Sequence, residues 1–265
     1  MGTLYHDRIV WITGASSGIG EGLAHEFARQ GATLVLSARR ADALEAVRQS
    51  CLNPERHLVL PMDMTHVESF STHVDTVMSQ FGRIDVLVNN AGISQRSLVK
   101  DTSLKVDREI MEVDFFAPVA LTKAVLPHML AAGRGQLVAV SSVVGLVATP
   151  YRSAYAAAKH AIAGFYDSLR AEVHDAGVQV AVIYPGFVKT NVSRAALAGD
   201  GSAHGQMDEK IAGAMSPDAF AAKAVAALGR GEVHILIAGK EKAVVWLGRL
   251  SPALLARAIR RLKVT

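Results

Sequence analysis

Tyr155 and Lys159 stand in the run Tyr155-Ala-Ala-Ala-Lys159, four residues apart. That spacing is one helical turn, so in a helix both side chains leave the same face. An ammonium held beside a phenol favours the phenolate form. A phenol that gains and loses its proton near working pH acts as an acid and a base, which the interconversion of a carbonyl and an alcohol requires. Helices carry such pairs by chance, so this one takes its meaning from its company. Ser142 ends an apolar run at 135–141, and its hydroxyl suits the holding of a substrate oxygen beside the phenol.

A second constellation is Thr13-Gly14-Ala15-Ser16-Ser17-Gly18-Ile19-Gly20, set between an apolar run and an amphipathic stretch. Glycines at 14, 18 and 20 permit a tight turn and close approach of a ligand to the backbone. The helix that follows offers free N–H groups and a partial positive charge, which suit a pyrophosphate. The spacing G-x-x-x-G-x-G is a variant of the dinucleotide fingerprint, with Ser16, Ser17 and Ile19 between its glycines. Glycine-rich turns also serve packing alone. The next apolar run ends Ser37-Ala38-Arg39-Arg40. An acid there would select NAD, whereas a guanidinium meets the 2′-phosphate of NADP(H) with a bidentate fork. Arg39 is the first choice for that contact and Arg40 the assistant.

These groups need a frame. Short runs rich in Val and Ile occur at 9–13, 33–37, 57–62, 84–89, 135–141, 179–184 and 233–237. They are continuously apolar, as strands covered on both faces are. Helical patterns lie between them; Ile19, Leu23 and Phe27 recur on one face, with Ala24 and Ala28 beside them. Gly31, Gly82 and Gly177 fall where helix C-terminal glycines belong. Repeated βα units predict an α/β architecture: a three-layer, Rossmann-like, doubly wound fold on a mostly parallel seven-stranded sheet. Residues 1–239 read as one domain, with 191–216 as a substrate lid or a disordered segment and 240–265 as a basic amphipathic C-terminal extension. Ser216-Pro217 should start a helix.

Taken together, Thr13–Gly20, Asn89-Asn90-Ala91-Gly92, Ser142, Tyr155…Lys159 and Pro185-Gly186-Phe187-Val188-Lys189-Thr190 resemble the short-chain dehydrogenase/reductase family in its single-domain form, over about residues 7–237. Each motif is modest alone, and the ordered set is specific. The resemblance implies a nicotinamide cofactor, NADP(H) by the reading of Arg39, with Tyr155 as acid/base and Lys159 as its partner and a ligand of the nicotinamide ribose. By family spacing Ser142, rather than Ser141, holds the substrate oxygen. Asp63, followed by Met64, resembles the acid that holds the adenine amino group. Asn90, with Ala91 and Gly92, resembles the stretch beside the adenosine ribose, in part structural. Thr190 resembles the hydroxyl on the carboxamide, and Pro185, Gly186 and Val188 shape the wall by the nicotinamide. A homodimer or homotetramer is implied as well.

One position departs. The family carries an Asn on a helix, holding a water linked to the lysine; here Met111-Glu112-Val113-Asp114 puts Asp114 in that place. An ionised Asp donates no hydrogen bond. Three consequences are open: the same role with the water turned round, a shifted pH optimum, or weak catalysis. The last would make the chain an NADPH-binding regulator or scaffold.

The sequence has 265 residues, 50% of them hydrophobic, a net charge of +4 and one cysteine, Cys51. An internal disulfide is excluded, and a disordered chain does not fit. Lys240–Thr265 holds seven Lys/Arg against one acid, Glu241, so the body is slightly acidic and is not a nucleic-acid-binding surface. No basic-then-apolar leader precedes the first strand and no apolar run is long enough to span a membrane, so a cytoplasmic location is expected. The ten histidines form no metal motif, and no metal is expected. Phe187, Val188, Ala195, Ala196, Leu197 and Met207, with Val143, Val144, Leu146, Val147 and Tyr151, predict an apolar pocket for a lipophilic ketone, aldehyde or alcohol. In the tail, Trp246, Leu247 and Leu250, then Leu254, Leu255, Ala258, Ile259 and Leu262, form a stripe flanked by Arg257, Arg260, Arg261 and Lys263. Such a stripe packs on its own body or a neighbouring subunit, or lies on an anionic membrane.

Overall fold

The computed structural model describes residues 4–206, 208 and 213–260. Seven parallel strands form one sheet in the order β3-β2-β1-β4-β5-β6-β7. They are β1 (Ile9–Thr13), β2 (Thr33–Ser37), β3 (Leu58–Val59), β4 (Val86–Asn89), β5 (Gly135–Val140), β6 (Val178–Pro185) and β7 (His234–Ile237). The helices are α1 (Gly18–Arg29), α2 (Ala41–Ser50), α3 (Phe70–Phe81), α4 (Leu104–Met111), α5 (Ala117–Ala131), α6 (Ser153–Glu172), α7 (Pro217–Gly229), α8 (Glu241–Leu250) and α9 (Pro252–Ile259).

Strand alternation sorts the core. Val10 and Ile12 join Leu23, Phe27 and Phe220 on the face covered by α1 and α7. Trp11, next to them in β1, joins Phe70, Leu121 and Tyr166 on the face of α3, α5 and α6. Both faces are filled, which is why the strands read as unbroken apolar runs. The strand order reverses between β1 and β4, and the carboxyl ends there form the crevice where such sheets bind ligands.

The expected strands are found with ends moved by at most two residues, except the third. Only Leu58–Val59 pairs as a ladder. Beyond it Leu60 N and Met62 N still reach Leu36 O and Ala38 O, at 2.9 and 3.0 Å. Pro61 between them has no N–H. His57 leaves the ladder because its ring nitrogen takes the hydrogen bond of Leu34 N at 3.2 Å. Gly82 and Gly177 end their helices at φ 71° and 72°, a region that glycine enters at little cost. Ser216 caps α7 by accepting from Ala219 N at 3.2 Å, with Pro217 at its first position.

The segment expected as a lid or as disordered is built onto the body over its described residues. Leu197 pairs with Gln95 and with Ala203. Met207, expected in the pocket wall, lies outside the described residues. The tail forms two helices rather than one, broken at Ser251-Pro252, where Ser251 Oγ caps α9. Leu262, Arg261 and Lys263 lie outside the described residues. Among the described residues no helix is long and apolar enough to cross a membrane.

Candidate active site

The turn from β1 to α1 is pinned from below. Thr13 Oγ1 accepts from Asn90 N and Ala91 N, both at 3.0 Å, and Asn90 Nδ2 donates to Thr13 O and Gly14 O at 3.0 and 3.2 Å. The Asn90 amide therefore joins the ends of β1 and β4, the structural part of its expected role. Gly14 has φ +65°, and a Cβ there would lie 2.8 Å from Ala91 Cα. At Gly18, φ +61°, a Cβ would meet Thr190 Cγ2 at 2.9 Å, and at Gly20 it would run into Gly14 O. The turn is thus closed on itself, and Thr190 is brought to its rim. Ser17, at the N-cap of α1, makes no side-chain capping bond. The helix N-terminus is left without a side-chain acceptor, as a backbone cradle for an anion is.

Arg39 and Arg40 are exposed at the carboxyl end of β2. Asp63 sits between buried Met62 and Met64, and its Oδ1 accepts from Thr65 N and Oγ1, each at 2.9 Å. The Thr65 backbone N–H first, with the charge of Arg39 adding to it, holds the Asp63 carboxyl below the usual carboxylate range. Thr13 and Ser37 pair at the ends of β1 and β2, and the Arg39 charge reaches Asp63, so the glycine turn, Arg39 and Asp63 stand at neighbouring strand ends.

Helix α6 carries Tyr155 and Lys159. The Lys159 ammonium lies 5.6 Å from the Tyr155 ring centroid, so the pair does share a face. Lys159 Nζ donates to Val140 O at 3.2 Å and stands 3.0 Å from Asp114 Oδ2. Asp114 Oδ1 accepts from Ile93 N at 2.7 Å. Asp114 lies in a π turn, Glu112–Phe116, between α4 and α5, where Ala117 N reaches back five residues to Glu112 O. Such turns recur at functional sites.

Burial pushes the Asp114 carboxyl up, against the pull of Lys159. Burial pulls the Lys159 ammonium down, but Asp114 and then Tyr155 outweigh it, and the net shift is upward. The carboxyl and the amine, 3.0 Å apart, thus each shift the other's titration, and Asp114 opposes the loss of the lysine's proton. Gly92 lies over it: a Cβ there would sit 3.0 Å from Asp114 Oδ2 and 3.2 Å from Lys159 Nζ.

The two serines divide. Ser141 is buried and donates to Lys159 O at 2.8 Å, fastening α6 to β5. Ser142 is half-buried; its Oγ accepts from Val144 N at 3.2 Å, which leaves its O–H to donate elsewhere. Beyond β6, Gly186 N bonds Ile237 O, and Phe187 N donates to Glu241 Oε1 at 3.1 Å. The wall at Pro185, Gly186 and Val188 is thereby braced from α8.

A family model described as short chain dehydrogenase matches residues 8–200. The chain belongs to the short-chain dehydrogenase/reductase family. It is 44% identical over 255 residues to a "Dehydrogenase/reductase SDR family protein 7-like" of Anopheles gambiae, covering 93% of this chain and 80% of that one. It is 41% identical to the bovine (Bos taurus) "Dehydrogenase/reductase SDR family member 7B", covering 95% and 80%. Among solved structures, a short-chain dehydrogenase from Streptomyces avermitilis superposes with TM-score 0.82 at 29% identity, covering 95% of this chain and 94% of the other. A metagenomic short-chain oxidoreductase in complex with NADP gives 0.73 at 26% identity, covering 89% and 99%. An archaeal alcohol dehydrogenase from Thermococcus sibiricus, complexed with 5-hydroxy-NADP, gives 0.74 at 28% identity, covering 88% and 96%. Fold, family and a nucleotide-binding oxidoreductase frame follow.

In this short-chain dehydrogenase a further set of polar residues escaped the reading by motif. Gln95 Oε1 accepts from Ala154 N at 2.9 Å, capping α6 from another loop. Asp208 receives Arg96 at 2.7 Å, Arg152 at 3.0 Å and the Ser193 hydroxyl at 2.9 Å, all buried. They tie the segment expected as a lid to the start of the helix that carries Tyr155. Partners so far apart in the chain leave no spacing to find.

Proposed function

We propose that this short-chain dehydrogenase is an NADP(H)-dependent oxidoreductase interconverting a carbonyl and a primary or secondary alcohol on an apolar substrate. The observation that carries it is Lys159 beside Tyr155, fixed by Asp114 under Gly92 at the carboxyl end of the sheet. NADPH, when bound, supplies the hydride. The Gly14–Gly20 turn would hold its pyrophosphate, Arg39 and Arg40 its 2′-phosphate, Asp63 its adenine, and Lys159 and Thr190 its nicotinamide end. The NADP ligands of two structural neighbours support the choice of cofactor.

The chain's own residues then have distinct tasks. Ser142 donates to the substrate oxygen and orients it. Tyr155 gives its proton to that oxygen in reduction and takes it back in oxidation. The Lys159 charge stabilises the phenolate that reduction leaves behind. Val143, Val144, Leu146 and Tyr151 form the apolar side of the pocket and exclude water.

The test is a fluorescence titration with NADPH and with NADH, followed by turnover on a panel of ketones, aldehydes and alcohols. NADPH should bind more tightly, and the wild type should turn over a lipophilic carbonyl. Tyr155→Phe should keep NADPH affinity and lose about 100-fold or more in kcat. Tight NADPH binding without turnover on any carbonyl would instead assign the chain a binding role. An equal kcat in Tyr155→Phe would remove the phenol from the chemistry.

A further inference from the structure

The two C-terminal helices present a face that no other described element covers. Trp246 is 57% exposed, Leu250 82% and Leu254 51%. These values mark a deliberate apolar surface, because the opposite side of α8 is packed: Val245 is buried, and Gly248 lies against Leu255 and Val147. Lys240, Lys242, Arg249, Arg257 and Arg260 are exposed on the same two helices or at the residues that flank them. The Arg249 guanidinium lies 5.5 Å from the Trp246 ring centroid. The one acid of the segment, Glu241, has an oxygen turned inward to Phe187 N.

An indole and two leucines among five cations match the composition of a surface-lying helix: apolar groups enter the boundary of headgroups and acyl chains while cations meet lipid phosphates. A second copy of the chain is a poor occupant. Symmetric pairing through this face would set the same cations against each other. We propose that α8 and α9 form a docking face for anionic lipid bilayers. Its inner side rests on Val147 and, through Glu241, on Phe187, so it backs directly on the loops of the candidate site.

Of the two tryptophans, Trp11 is fully buried in the sheet, so Trp246 alone changes surroundings on docking. The experiment uses the full chain with phosphatidylcholine vesicles, with and without phosphatidylglycerol, read by co-sedimentation and tryptophan emission. Expected are sedimentation and a blue shift with the anionic vesicles, reversed by salt. The shift should vanish in Trp246→Phe. Replacing Arg249, Arg257 and Arg260 together by Gln should weaken partitioning on the order of 100-fold. Leu250→Glu, at a solvent-facing position, should weaken it with no change in melting temperature. Absence of binding to anionic vesicles, equal binding to neutral ones, or unchanged partitioning of the triple variant would each overturn the proposal. So would self-association through this face, seen as a sedimentation coefficient that rises with protein concentration and falls in Leu250→Glu while vesicle binding is absent.

Discussion

A buried ammonium keeps its proton only where an opposite charge stands close. For Lys159 burial works toward the neutral amine, and Asp114 at 3.0 Å reverses the outcome. An amide in that place would leave the hydrogen bond from Ile93 N possible and remove the charge. In Asp114→Asn, then, the lysine is more easily deprotonated, and the alkaline limb of the reduction rate should move to lower pH. The readout is kcat against pH for both proteins, with melting temperature as a check on folding. A limb that stays put would show that the Asp114 charge does not reach the reaction. At this scale the sequence was legible where spacing is local: Tyr155 and Lys159 share a turn of one helix, and the glycines of residues 14–20 sit in one loop. Asp114 was legible as a departure, but its direct pairing with the lysine was not. A π turn has no spacing signature, and the two residues come from different helices.

Elements are held by groups that motifs ignore. His57 stands just before β3, and its Nδ1 accepts from Leu34 N in β2 at 3.2 Å while Nε2 faces Leu52 O at 2.9 Å. A neutral ring with its proton on Nε2 satisfies both; a protonated ring loses the acceptor. Burial, the leading cause, pulls the His57 pKa below its usual value. The unfolded chain therefore takes up a proton, near a pKa of about 6.5, that the folded chain refuses. The stability from this site is full above that pH and is lost as pH falls from there to the lower folded value. Thermal melts of the wild type and His57→Gln should show a steeper loss for the wild type between about pH 7 and about pH 5. Parallel curves would exclude His57 as the source. The seven strands were readable because burial on both faces makes them continuously apolar. The shortness of β3 was not, since a histidine side chain and Pro61, rather than hydropathy, decide where its ladder stops.

Across the whole molecule three distant segments meet at one carboxylate. Arg96 follows β4, Arg152 precedes α6, and Asp208 belongs to the segment expected as a lid; the two pairings span 112 and 56 residues. Residues 191–216 read as either a lid or a disordered segment because their Gly and Ala carry no core pattern. What orders it is polar: Leu197 N donates to Ser94 O at 2.8 Å, and Arg96 N donates to Leu197 O at 2.9 Å. Burial works to raise the Asp208 pKa, but the two guanidiniums and Ser193 hold it below the usual range. Its contribution is therefore present above a pKa of about 3.9 and lost as pH falls through the lower folded value. Removing one member of a buried ionic cluster costs about 3–5 kcal/mol, because the other charges stay buried. Asp208→Asn should lower the stability by an amount of that order. Limited proteolysis should then cut within 191–206 faster than in the wild type, and substrate KM should rise while NADPH affinity is kept. Ser193→Ala, which removes a single hydroxyl from the same carboxylate, should cost only about 1 kcal/mol. If the two variants melt and are cut alike, the charge is not what holds this segment, and the backbone bonds through Leu197 hold it instead.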